Sequence, residues 1–183
     1  MRKKFACCFA LVAAVAILAL PGLTRQQDKS KRPSPPAKAV CMLPDGKSIT
    51  TDYSSPRLKG RKIIGGQDPY GKPWRAGANE ATTFVTTADL TVGGKDIPAG
   101  SYTLFAIPYA DKPWTLIISK KTGEWGIPYP GEQFELLRTD MQVSALPSQL
   151  ENFTIAYDKT DGGCTLRMDW DMTRASVTFA EKM

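Results

Sequence analysis

Asp161-Gly162-Gly163-Cys164-Thr165-Leu166-Arg167-Met168-Asp169-Trp170-Asp171 is the stretch that decides the fold. A tight Asp-Gly-Gly turn opens it. Cys164, Leu166, Met168 and Trp170 then alternate with Thr165, Arg167, Asp169 and Asp171. A period of two puts the apolar set on one face of a β-strand and the polar set on the other; on a helix the same residues would scatter. Asp169 and Asp171 are expected together on the solvated face. The alternation resumes at Ala175, Val177 and Phe179.

Working outward, the same pattern recurs between turn signals. Glu151–Tyr157 places Phe153, Ile155 and Tyr157 on one side, and Leu136–Val143 does so with Leu137, Thr139, Met141 and Val143. Trp114–Ser119, Ser101–Ile107 and Glu80–Thr87 read as further strands, and Gly93-Gly94 joins Leu90–Val92 to Lys95–Ile97. Pro44-Asp45-Gly46-Lys47 connects Val40–Leu43 to Ser48–Tyr53 as a hairpin. Many short, evenly spaced strands without helical periodicity predict an all-β domain, a single antiparallel β-sandwich of jelly-roll or immunoglobulin-like topology. The irregular span Ser54–Gly77 is long for a compact domain, and such loops often carry function.

The chain of 183 residues has a formal charge of +6. Residues 1–40 hold eight basic residues and one acid, a net +7, which leaves the body at −1. The basic excess therefore gives no support to nucleic-acid binding. Arg2-Lys3-Lys4 followed by the apolar run Phe5–Leu20 and Pro21-Gly22 reads as an export signal. As a helix the run spans roughly 24 Å, short of a bilayer core of about 30 Å. The expected organisation is a signal peptide at 1–23, with a retained inner-membrane anchor as the alternative. A basic, Pro-rich tether at 24–39 and the domain at 40–183 follow. The protein is expected to be periplasmic or extracellular and to touch membrane only through an uncleaved leader. Cys41 and Cys164, the two cysteines outside the leader, are expected to form a disulfide in that oxidising compartment.

The sequence has no histidine. That excludes Ser-His-Asp and Cys-His nucleophile activation and histidine-bearing zinc sites. No metal or cofactor motif is present, and Asp158–Gly163 lacks the carboxylate ladder of a calcium loop.

Tyr53-Ser54-Ser55-Pro56-Arg57, Lys59–Ile63, Pro69–Lys72 and above all Trp74-Arg75-Ala76-Gly77-Ala78-Asn79-Glu80-Ala81-Thr82, with Pro98–Leu104 downstream, resemble the bacterial domain-of-unknown-function family 2911 over about residues 40–180. The resemblance implies an exported bacterial protein and names no reaction. Gln67-Asp68 departs from it, standing where an apolar pair is more usual.

Trp74–Glu80 is the candidate site. Arg75 offers a planar fork of donors, Asn79 a donor and an acceptor, Glu80 a carboxylate and Trp74 a face for stacking. Arg61, Asp68 and Tyr70 come from the same irregular span and are expected to converge on it. Trp170 is in phase with core residues, Trp114 is core or rim, and Trp125 lies in a loop that reads as exposed. The expected role is non-enzymatic binding of an unknown small molecule or envelope component. One alternative is a hydrolase using the carboxylates Glu80 and Asp68 on a saccharide-like substrate. The other is a structural or interaction domain in which Arg75, Asn79 and Glu80 form an internal brace.

Overall fold

A computed structural model describes residues 28–182. The expected leader and residues 24–27 of the tether lie outside the described residues. Nine strands form one antiparallel sheet: β1 Pro36–Met42, β2 Ser48–Ser54, β3 Thr82–Thr86, β4 Leu90–Val92, β5 Lys95–Ile97, β6 Gly100–Ile107, β7 Trp114–Ser119, β8 Glu135–Thr160 and β9 Gly163–Glu181. Their order is β1-β2-β3-β6-β7-β8-β9-β4-β5. The all-β antiparallel domain expected from the alternation is thus present. Two short 3-10 turns, Lys29–Lys31 and Glu132–Phe134, complete the described elements. Among the described residues no helix is long and apolar enough to cross a membrane.

The sheet folds over on itself in a sandwich-like arrangement because β8 belongs to both halves. Its first part, Glu135–Met141, pairs with β7, and Gln142–Thr160 pairs with β9. The β8–β9 register slips between Ala145 and Leu150 and again before Thr154. Pro147, which has no N–H to give a ladder, lies within the first slip. Sequence periodicity reads the two apolar stretches of β8 as two strands; they are one strand interrupted by bulges.

Phe84, Leu104, Leu116, Ile118, Met141, Phe153, Leu166 and Phe179 fill the space between the halves and are essentially inaccessible. Phe105 and Ile117 point to the other face of β6 and β7, where Tyr129 covers them. Hydroxyls in and just after the second strand also reach β8. The Oγ1 of Thr51 lies 2.7 Å from the Tyr157 hydroxyl. The Ile155 N–H donates to the Tyr53 hydroxyl at 3.0 Å, and the Ser55 hydroxyl donates to the Phe153 carbonyl at 2.6 Å.

Three further sequence expectations change. Ala37, Lys38 and Ala39, with Pro36, lie in β1 instead of in a tether. They pair with Ser54 to Thr51, so the domain begins before residue 40. Asp169 is buried and not solvated. Arg174 clamps it through Nε and Nη2 at 2.8 and 2.7 Å, and Arg167 adds a contact at 3.2 Å. Asp171, with φ of 54°, breaks the alternation two residues later. Val143, placed on the inward face by sequence, is 42% exposed.

Cys41 on β1 is disulfide-bonded to Cys164 on β9, with Cα atoms 6.5 Å apart across a sequence separation of 123. Cross-linking so long a loop restricts the unfolded chain strongly, by about 4–5 kcal/mol in the chain-entropy account. Replacing both cysteines by serine is therefore expected to lower stability by several kcal/mol. Chemical denaturation of the variant against the oxidised parent checks this.

Candidate functional site

The loop between β2 and β3 builds the site. Near its start, Arg57 bridges to Asn152 of β8. The Phe153 N–H donates to the Pro56 carbonyl at 2.9 Å, and the Leu58 N–H to the Glu151 carbonyl at 3.0 Å. A tight turn follows, in which the Asp68 N–H donates to the Ile63 carbonyl at 2.9 Å and the Gly65 N–H to the Asp68 carbonyl at 2.8 Å. These two backbone bonds fix Asp68. Trp74 then pairs with Ala106 of β6 in both directions, each bond 2.8 Å.

The chain turns sharply after Trp74. Ala76 has φ of 51° and Asn79 of 57°, left-handed values that side chains with a Cβ adopt only at a cost. Between them Gly77, at φ 155°, passes so close to the second strand that a Cβ there would stand 2.9 Å from the Ser54 carbonyl oxygen. The Thr82 hydroxyl holds the Ala76 carbonyl at 2.6 Å, and the Ala78 N–H donates to the Ser54 carbonyl at 3.2 Å. The strained turn is thus held from both sides.

The consequence is that the Trp74–Glu80 segment faces two ways. Arg75, Trp74, Asp68 and Arg61 line one cavity of ≈ 190 Å³, with Trp170 and Ile127 among its other walls. Glu80 lines a separate cavity of ≈ 290 Å³ with Lys29 and Arg32. Its carboxylate is engaged, at 3.1 Å from Lys29 Nζ and 2.8 Å from Arg32 Nη1. Its own backbone N–H, then these two cations, lower its pKa to about 2. The Asn79 side-chain amide donates to the Ser34 carbonyl at 3.0 Å. Asn79 and Glu80 therefore hold the N-terminal segment against the sheet.

Trp74 is no stacking platform. It is 6% exposed, stacks on Trp170 with ring centroids 5.8 Å apart and meets Phe153 edge-on at 4.9 Å. Its aromatic partners come from β8 and β9, so it is a core residue that forms a cavity wall. Trp114 is buried. Tyr70 is not among the cavity residues; it lies over Gly65 and is 43% exposed. Arg61 reaches the cavity, but its guanidinium is taken up by the Leu58 and Arg57 carbonyls at 3.0 and 2.8 Å and by Gln67 at 3.1 Å.

Asp68 and Arg75 remain. The Arg75 Nη1 donates to the Trp125 carbonyl at 3.1 Å, and its guanidinium lies 5.3 Å from the centre of the Trp125 ring. Burial lowers the Arg75 pKa against the opposing pull of Asp68 and Glu80. Burial likewise raises that of Asp68, against the pull of Arg75. Among the described residues no ion pair or side-chain hydrogen bond is made by the Asp68 carboxylate. Trp125, 53% exposed, and Ile127, 63% exposed, stand above. Gly126 between them lets this loop press on the site, since a Cβ there would come within 3.0 Å of the Arg75 Cβ. Sequence reasoning singled out Trp125 as an exposed loop aromatic; its contact with Arg75 needed the fold.

Fold and site together define an all-β, single-domain protein with a small charged cavity lined by the loop between β2 and β3. The chain belongs to DUF2911, a family of proteins of unknown function, whose family model matches residues 34–179. No curated protein and no solved structure matches the chain.

The two carboxylates carry opposite signs in stability. The folded-state pKa of Asp68 lies above its unfolded value, so ionised Asp68 weakens the fold as pH rises through that window. Asp68→Asn is expected to raise Tm at pH 7 by roughly 1–3 °C, with the gain fading below the ordinary carboxylate range. Glu80 is depressed, so its stabilisation is present above the ordinary range and is lost as pH falls towards about 2. With a side chain 43% exposed, Glu80→Gln is expected to cost about 1 kcal/mol at pH 7 after screening. Thermal melts of both variants between pH 2 and 8 check the two signs.

Proposed function

We propose that the protein is an exported, envelope-associated binding module that holds a small polar ligand in the Asp68–Arg75 cavity without chemically altering it. One observation carries this reading: a half-buried carboxylate and a guanidinium face the same cavity without pairing with each other. Two charges desolvated in this way cost free energy unless something compensates them. A bound polar molecule would. The strained turn at Ala76 and Asn79 supports the same reading, because strain of this kind tends to be kept where it positions a functional group. The charged start of the chain and its apolar run support export, and the Cys41–Cys164 bond suits an oxidising compartment.

The hydrolase alternative needs two carboxylates facing one scissile bond. Asp68 and Glu80 line different cavities, and Glu80 is already paired with Lys29 and Arg32. The brace reading of Arg75, Asn79 and Glu80 fits Asn79 and Glu80, which bind the N-terminal segment, and fits Arg75 in its bond to the Trp125 carbonyl; it gives no role to Asp68, which faces the same cavity as Arg75. One segment would then serve both ends, bracing through Asn79 and Glu80 and binding through Arg75.

The test is a thermal-shift screen of the purified protein against small charged and hydroxylated compounds, repeated with Arg75→Ala. A ligand that raises Tm in the parent and at least tenfold less effectively in a folded Arg75→Ala supports the module. A parent that no compound stabilises, or a shift that survives loss of Arg75, sinks it.

A further inference from the structure

The charges around this cavity restrict what can fill it. Resting on the binding-module reading above, the geometry points to a free α-amino acid with an apolar side chain as the ligand, its carboxylate on Arg75 and its ammonium on Asp68. A lone anion would meet Asp68, and a lone cation would meet both Arg75 and Arg61. A neutral sugar would leave the two charges desolvated without an opposite charge beside either. A zwitterion satisfies both at once. The guanidinium has the donors to do so. Of its five N–H groups one goes to the Trp125 carbonyl, whereas Arg61 spends its own on the Leu58, Arg57 and Gln67 oxygens.

The remaining walls set the side chain. Ile127, 63% exposed, is the main apolar surface beside the charged pair, and the buried Trp74 and Trp170 add only the edges of their rings to the cavity wall. The cavity of ≈ 190 Å³ is below the range of about 300–1,000 Å³ usual for ligand pockets, a size that suits one residue better than a peptide. With two arginines against one aspartate, the ligand's carboxylate contributes more than its ammonium.

Isothermal titration of the full-length protein tests the assignment with four probes of one side chain: L-leucine, L-leucinamide, N-acetyl-L-leucine and the dipeptide Leu-Leu. Glucose serves as the neutral control. Leucine is expected to bind at least tenfold more tightly than each of the others, with leucinamide the weakest of the leucine compounds. Asp68→Asn is expected to erase the preference over N-acetyl-leucine while keeping that over leucinamide. Arg75→Gln is expected to do the reverse, Arg75→Lys, which keeps the positive charge, is expected to retain part of the preference over leucinamide, and melts confirm that each variant is folded. If leucinamide, N-acetyl-leucine, the dipeptide or glucose binds as well as leucine, the amino-acid assignment falls while a binding module stands. If none of these binds but another compound from the wider screen does, the assignment falls alone. If nothing binds at all, both readings fall.

Discussion

Trp74 is the side chain on which the rest of the structure depends. Its backbone exchanges two hydrogen bonds with Ala106 on β6, and its ring packs against Phe153 of β8 and Trp170 of β9. One residue thereby ties the long loop to both halves of the folded sheet. Burial of an indole with such partners contributes several kcal/mol. It also sets the direction of its neighbour: with Trp74 held inward, Arg75 is committed to the cavity.

The turn after Trp74 divides two kinds of electrostatics. On the side of Asn79 and Glu80, charges and amides are matched to Lys29, Arg32 and the Ser34 carbonyl, and the N-terminal segment is drawn onto the sheet. On the side of Arg75, burial works against both Arg75 and Asp68, and the carboxylate has no ion pair among the described residues. A fold selected for stability alone would pair or remove such groups. The contrast within one short segment gives the cavity its functional interest, since the same chain shows that it can satisfy its charges a few residues away.

Much of the fold was legible because alternation is a local property. Cys164, Leu166, Met168 and Trp170 point inward as their spacing requires, and Phe153 and Ile155 do so as well. Legibility stopped where curvature overrode period two. Asp169 falls on the polar phase, yet Arg167 and Arg174 close over it at the bulge before Asp171. Val143 falls on the apolar phase but lies on β8 just past its switch from β7 to β9, where it is exposed. Pro36–Ala39 read as an extended linker and are extended; their neighbour across the sheet, β2, makes them a strand.

By itself the sequence determined the antiparallel β class, the compatibility of Cys41 with Cys164 and the segment where polar chemistry concentrates. Each of these follows from spacing or residue type, which need no knowledge of distant neighbours. Only the tertiary structure decided which of the nominated residues share a cavity. Asp68 and Arg75 come to line one cavity because a backbone turn and the Trp74–Ala106 pairing fold the loop back on itself. Glu80 leaves them because the left-handed turn from Ala76 to Asn79 points the next side chain to the other cavity. The sign of a φ angle and the packing of a ring set those directions, and neither is written in the order of the residues.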